Sequence, residues 1–392
     1  MEKVYYRYNP WWDNDTYSLA LLNRPSVLPD VWESRNYKGI SILTGLRRIG
    51  KTSIIKLVIK KLLEDGTDPK KIFFISLDEY TLKDKSIVEI LDDYRGIMRL
   101  SVDEKIFVFF DEVTYKPDFN IELKNLYDSQ NVKVFASASN SYLLQDKKAY
   151  LTGRSKLFAI NPLTFHEYLL FKKTEIKKKD QHLVESYFED YLKSGGIPEY
   201  VLTDDFEYIK NLVDDIIYKD IAAVHGIRDL SLLKDFFLLL MERAGKQLSL
   251  NKMASILSVS VDTASRYQDY FLRTFLVQSI QRNGKTNERV LSPKKIYAAD
   301  TGIRNYFTGF RDKGGLFENY VFNRIKHLNP QYVYHDQTEI DFLTENGILA
   351  EAKYHSEPLS PKQQKLFDAF PAKTKIIIRN EDDIGRMLNG EL

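Results

Sequence analysis

The segment ISILTGLRRIGKTSIIKLVIKKLL, residues 40–63, constrains the fold more than any other part of the chain. A short apolar run gives way to a loop bracketed by glycines, and the loop runs straight into apolar residues at helical spacing. Gly45 to Thr52 fit the pattern G-x-x-x-x-G-K-[ST]. In that pattern the glycines let the backbone curl until its N–H groups face a phosphate at a helix N-terminus. Lys51 then reaches the β- and γ-phosphates, and Thr52 ligates Mg²⁺. Gly45, Arg47, Arg48, Gly50, Lys51, Thr52 and Ser53 are the expected nucleotide-binding residues, with ATP and Mg²⁺ the expected cofactors.

A bound Mg²⁺ needs a carboxylate behind it, and hydrolysis needs an oriented water. KIFVFFDEV, residues 105–113, offers both. Phe107, Val108, Phe109 and Phe110 read as a fully buried strand that ends at Asp111-Glu112. Asp111 is expected to hold the water shell of Mg²⁺ and Glu112 to polarise the attacking water. Further strands are expected at 71–77, 132–137 and 156–160, alternating with helices. That alternation gives an α/β domain with a parallel, doubly wound sheet over residues 1–160.

Composition narrows the chemistry elsewhere. There is no cysteine and only six His, so disulfides and thiolate zinc sites are excluded and carboxylates are left as metal ligands. The balance of 57 Lys and Arg against 55 Asp and Glu leaves +2, which neither demands nor excludes nucleic acid. At 392 residues, 43% hydrophobic and 29% charged, the chain suits two or three folded domains rather than disorder. No stretch approaches the ~18 uncharged apolar residues of a membrane span, and the opening MEKVYYRYNPWW lacks the apolar run of a signal peptide. The expectation is a soluble cytoplasmic protein with no membrane contact. The Tyr, Phe and Lys content with no Cys fits a thermophilic or archaeal source.

The loop G-x-R-R-x-G-K-[ST], the NPWW at residues 9–12, the Asp-Glu strand end and the run GRSKLFAINPLTFHEYL (153–169) together resemble the archaeal-type AAA-superfamily ATPases. The resemblance covers essentially the whole chain. It implies that VKVFASASN (132–140) is a sensor strand placing Ser137, Ser139 or Asn140 near the γ-phosphate, and that Arg154 is an arginine finger. An Arg154 acting in trans would require a homo-oligomer. Trp11 and Trp12 could cover the adenine or anchor a core. Residues 161–230 look like the helical lid of such ATPases, with the lysine run KKTEIKKKD (172–180) on a solvated face and a break at Gly195-Gly196-Ile197-Pro198.

Residues 231–300 carry helix-turn-helix spacing: a short helix, a small-residue turn at Ser258-Val259-Ser260, and a second helix with Ser260 or Asp262 as N-cap. A strand and a hairpin turn at Asn283-Gly284 come next, with Arg282, Lys285, Arg289, Lys294 and Lys295 around it. This reads as a winged helix whose Thr263, Ser265, Arg266 and Gln268 would face the major groove of DNA while the wing meets phosphates. The alternative is a protein-binding module.

Residues 301–392 form the last expected domain. From 315 to 379 the order reads helix, three strands, helix, strand. A three-residue loop Glu345-Asn346-Gly347 would set Asp341 directly across from Glu351, with Ile340, Phe342, Ile348, Ala350, Ala352 and Tyr354 on the opposite, apolar face. Like charges held across a hairpin repel unless a cation bridges them, and Mg²⁺ would do so. Asp341, Glu351-Ala352-Lys353 and the element order match the PD-(D/E)xK, restriction-endonuclease-like fold, with Glu318 as an extra carboxylate. That likeness implies metal ligation by Glu318, Asp341 and Glu351 and water activation by Lys353. Gln363 and Gln364 downstream could touch DNA, although the polarity of an exposed helix explains them more simply. The whole then reads as a Mg²⁺-dependent ATPase coupled to DNA binding and metal-dependent DNA cleavage. The alternative is an ATP-driven regulatory switch that binds a protein partner and carries the nuclease-like part as a scaffold.

Overall fold

A computed structural model describes residues 1–13, 21–139, 151–355 and 357–391. The chain divides into two compact units, Met1–Asn161 and Pro162–Leu392. In the first, strands β1 (Ile40–Thr44), β2 (Ile72–Ser76), β3 (Ile106–Asp111), β4 (Val132–Ala138) and β5 (Ser155–Ala159) form one parallel sheet in the order β2-β3-β4-β1-β5. Both faces are covered, so the middle strands are continuous apolar runs, with Phe73, Val108, Phe110 and Ala136 completely buried. Phe109 stacks on Phe135 across neighbouring strands. Strand β4 lies between the strand that feeds the glycine loop and the strand that ends in Asp111. The carboxyl ends of β1, β3 and β4 therefore converge where a parallel sheet binds ligands.

The NPWW segment closes the outer strand of this sheet. The Asn9 amide accepts from Phe74 N and donates to Phe74 O, and both indoles donate to Ile72 O. Trp12 also stacks on Phe73 and Tyr94. Side chains here do the hydrogen bonding of a missing strand, which blunts an otherwise open edge. Trp11 and Trp12 are anchors of β2, so the adenine-covering role is not theirs.

The second unit begins with helices, among them Phe165–Phe171, Val184–Ser194 and Phe206–Asp215. Residues 230–298 supply helices Leu230–Glu242, Leu250–Ile256 and Val261–Arg273 around an antiparallel sheet of β6 (Lys246–Leu248), β7 (Val277–Ile280) and β8 (Lys294–Ala298), in the order β6-β8-β7. Residues 313–389 supply helix Lys313–Ile325, β9 (Gln331–His335), β10 (Thr338–Leu343), β11 (Ile348–Ala352), helix Pro361–Ala369, β12 (Thr374–Ile378) and helix Glu381–Asn389. These strands form a second sheet, β12-β11-β10-β9, antiparallel except for the β11–β12 pair.

The lid boundary at 230 and the domain boundary at 300 are not gaps in packing. Asp300 caps helix Thr301–Thr308 and accepts from Gly196 N, and Asn305 Nδ2 donates to Leu192 O. A Cβ on Gly196 would sit 2.5 Å from Leu163 O, and one on Gly302 only 1.9 Å from Ser194 O. The double glycine is thus a close crossing that welds residues 162–230 to helix Thr301–Thr308. The two-residue turn expected at Asn283-Gly284 does not form either. Asn283 N donates to Tyr332 O and Arg282 Nη2 to Tyr334 O, so the chain leaves β7 along the edge of β9 and returns through a short helix, Thr286–Leu291. The exposed edge of β9 competes for these backbone groups and wins.

Candidate functional site

Backbone geometry at the glycine loop follows from its sequence. Gly45 and Gly50 have φ of 149° and 98°, conformations that side chains disfavour, and a Cβ on Gly45 would lie 2.4 Å from Ile160 O. Helix Lys51–Glu64 starts directly after Gly50, leaving its first N–H groups without helical partners. Lys51 is buried and donates to the carbonyls of Gly45 (3.1 Å) and Leu46 (2.9 Å), so its ammonium lies inside the loop. Arg47 is half-buried, Arg48 is exposed in the left-handed region, and Ser53 follows Thr52 on the first helical turn. Arg24 braces the loop by donating to Ile49 O and Asn161 O, a role that nothing in its sequence surroundings signals.

The acid strand meets this loop through hydroxyls. Thr52 Oγ1 donates to Asp111 Oδ2 at 2.6 Å, and Ser137 Oγ donates to Asp111 Oδ1. Glu112 takes φ of 53° and its N–H donates to Ser137 Oγ at 2.9 Å. A left-handed acid costs roughly 1 kcal/mol of backbone energy, and here it aims Glu112 away from the strand, where Ser139 Oγ donates to its carboxylate. Burial pushes the Asp111 carboxyl above its usual range. Two hydroxyls and the nearby Lys51 oppose that rise, and an incoming cation would favour the ionised carboxylate further. Oxygen donors from Thr52 and Asp111 fit Mg²⁺, which selects hard oxygen ligands. A cleft of about 560 Å³ opens beside them, lined also by Arg7, Tyr8 and Lys56.

The remaining expectations divide. Ser137 and Ser139 are both at the acid pair, whereas Asn140 lies outside the described residues. Arg154 is not brought to the loop. It precedes β5, whose first residue pairs with Ile40 at the opposite end of β1, and it bonds Asp128 at 3.2 Å.

The second acid group has a different character. Phe342 pairs with Ala350 and Leu343 with Leu349, and Thr344 N donates to Ile348 O across the loop Glu345-Asn346-Gly347, with Gly347 at φ 90°. Asp341 and Glu351 are therefore opposite one another. Each acid of the pair has an ammonium partner of its own. Lys295 Nζ donates to Asp341 at 2.9 Å, to Glu318 at 2.7 Å and to Glu339. Lys295 is 1% exposed, so its assignment to a DNA-facing wing is wrong. Glu351 is closed separately by Lys353 (3.0 Å), Gln363 Nε2 (2.8 Å) and Asp341 N (3.0 Å). Gln363 thus faces inward rather than toward DNA, and Gln364 bonds Asp368. Among the described residues, no group of three His, Asp or Glu side chains is arranged to hold a metal ion; where Glu318, Glu339 and Asp341 meet, the Lys295 ammonium fills the space between them. The metal roles expected of Glu318, Asp341 and Glu351 do not fit this arrangement. The signal that could have exposed Lys295 is the strand KKIYA: all but its first residue are buried, so one of two adjacent lysines had to point inward.

Comparison with known proteins bears on both halves. Residues 37–169 match the family model described as an AAA domain. This stretch is an AAA-type, P-loop ATPase-like domain. Residues 185–314 match a domain of unknown function (DUF8612), a span that crosses both 230 and 300. An uncharacterized protein of Methanocaldococcus jannaschii is 29% identical over 341 residues, covering 80% of this chain and 74% of that one. One from Haemophilus influenzae is 25% identical over 345 residues, covering 83% and 84%. Among solved structures, a Walker-type ATPase of Pyrococcus abyssi aligns with TM-score 0.46 at 14% identity, covering 73% of this chain and 96% of that one. Among the described residues no helix is long and apolar enough to cross a membrane.

On helix Val261–Arg273 of the second unit, Ser260 is the N-cap, Thr263 is half-buried, and Ser265 and Arg266 are exposed. Gln268 is buried with Tyr267 and Phe271, because residue 268 falls one helical turn from Ala264 on the core face. It cannot read a groove from there.

Proposed function

We propose that the AAA-type domain hydrolyses ATP with Mg²⁺, and that the second unit is a metal-free binding module whose ligand is duplex DNA. The observation carrying the first part is the pair of acids at the loop: Asp111 tied to Thr52 by hydroxyl contact, and Glu112 presented by a strained backbone and held by Ser139. Thr52 and Asp111 would hold Mg²⁺, which when bound would offset charge on the β- and γ-phosphates. Lys51 and the N–H groups after Gly50 would bind those phosphates. Glu112 would orient and polarise the attacking water, with Ser139 Oγ donating to its carboxylate. Arg154 has no part in this reading within one chain. ATP binding to the wild type and its loss in Lys51→Ala, read by calorimetry, test it; equal binding by the two proteins would end it.

For the second unit we read residues 230–298 as a winged helix and the sheet β12-β11-β10-β9 with its helices as a PD-(D/E)xK-like scaffold. Thr263, Ser265, Arg266, Lys285, Arg289 and Lys294 are accessible to a polyanion, and none is committed to the acid cluster. Affinity for a duplex should fall with salt with a log–log slope of about −2 to −4, set by the phosphates neutralised. A specific observation favours a second reading, a protein partner: Ile256, Val261, Val290 and Leu291 are 51%, 44%, 71% and 83% exposed on these same elements. No duplex binding at low salt would select the protein partner.

A further inference from the structure

We infer that Lys295 is the permanent cation of the carboxylate cluster Glu318, Glu339 and Asp341, so that this region works without metal, and that removing the lysine turns the cluster into a divalent-cation site. An ammonium has three protons, and here three carboxylates receive them. Its position is fixed by a central strand. Lys295 pairs with Gln247 of β6 on one side and Ile280 of β7 on the other, so the backbone cannot withdraw the side chain without breaking a sheet. Gln247 Nε2 also donates to Glu339 at 2.7 Å, and Tyr297 Oη to Glu318 at 2.7 Å, two residues further along the same face of β8. The three-stranded sheet is thereby bolted to β10 and to helix Lys313–Ile325 through one ion cluster.

Charge balance explains why an intramolecular cation was needed. Glu318, Glu339, Asp341 and Glu351 put four carboxylates on adjoining strand and helix positions, with Lys295 and Lys353 the ammonium groups that meet them. Asp341 is further tied by Ala352 N, which donates to its Oδ2 at 3.0 Å. Both oxygens of Glu351 and both of Asp341 are thus already engaged by protein donors. A divalent ion would have to displace the Lys295 ammonium from a site where water scarcely reaches, and the displaced charge would be buried unpaired. With the lysine gone, Glu318, Glu339 and Asp341 become three oxygen ligands left without their cation, the donor set Mg²⁺ and Mn²⁺ prefer.

The test uses the full-length chain carrying Lys51→Ala and Asp111→Ala, which silences the nucleotide site, without nucleotide. Thermal melts are taken in EDTA and in MnCl₂, alongside Tb³⁺ luminescence excited through tyrosine, for which Tyr297 is the adjacent antenna. This background protein should show no Mn²⁺-dependent rise in Tm that Asp341→Asn abolishes. Adding Lys295→Ala should lower Tm in EDTA, restore it by roughly 5 °C or more in Mn²⁺, and create a Tb³⁺ signal that Asp341→Asn removes. If the background already gains Tm in Mn²⁺ through Asp341, a metal displaces the lysine and the inference is overturned. If Lys295→Ala folds but ignores Mn²⁺ and Tb³⁺, the cluster is no cation site and the second half is overturned. Should Lys295→Ala fail to fold, Lys295→Ala with Glu318→Gln removes one charge of each sign. Glu339 and Asp341 must then confer the Mn²⁺ response, and its absence counts equally against the inference.

Discussion

The chain buries strand-borne acids twice and settles them in opposite ways. Asp111 and Glu112, at the end of β3, are held by Thr52, Ser137 and Ser139, all neutral hydroxyls. Asp341 and Glu351, on β10 and β11, are held by Lys295, Lys353 and Gln363, so most of their charge is met within the protein. Hydroxyl donors satisfy lone pairs without supplying a counter-charge, and burial accordingly raises the Asp111 carboxyl. Ammonium donors cancel charge, which makes the second site a structural clamp. The difference teaches that a pair of facing acids does not by itself announce metal chemistry; the identity of the donors around them decides it.

Four measurements would break or sharpen this contrast. The largest effect should be on turnover: Glu112→Gln should lower kcat for ATP by about 10²- to 10⁴-fold while keeping ATP affinity, whereas Glu351→Gln should leave steady-state turnover within about twofold. Next, Lys295→Ala should cost about 3–5 kcal/mol of unfolding free energy by denaturant titration, because it leaves buried Asp341 and half-buried Glu318 and Glu339 without their cation. A loss under about 1 kcal/mol would mean the clamp is not structural.

Third, removing one acid from each site should separate them in nucleotide-free protein. Asp341→Ala should destabilise by about 3 kcal/mol, as a buried paired charge does, and Asp111→Ala by about 1 kcal/mol, the value of its hydroxyl contacts. Equal losses would erase the distinction. The smallest effect is on pH dependence. Burial, then Asp341, pushes the Glu351 carboxyl up to about 8 from an ordinary 4.5. Between those values the folded protein holds more protons than the unfolded chain, so this group makes stability fall as pH rises from about 5 to 8. Glu351→Gln should flatten that slope, by no more than about 1 kcal/mol per pH unit; an unchanged slope would place the titration elsewhere.

Local patterns carried much of the design. The glycine loop with its strand and helix, the buried run into Asp111-Glu112, the five strands of the parallel sheet and the three-residue loop that faces Asp341 with Glu351 are all legible in the sequence, because turn geometry and two- or 3.6-residue periods act over a few neighbours. What tertiary structure alone decided are the partners. Lys295 reaches Asp341 across 46 residues, Asn9 caps Phe74 across 65, and Ser137 reaches Asp111 across 26 because β4 is threaded between β1 and β3. Arg154 lies at the end of the sheet away from the glycine loop for the same reason: its neighbour in space is fixed by strand direction, not by the residues beside it. Sequence set which charges must be buried. Only the packing of distant strands determined whether a buried acid would meet neutral hydroxyls or an ammonium that supplies its counter-charge.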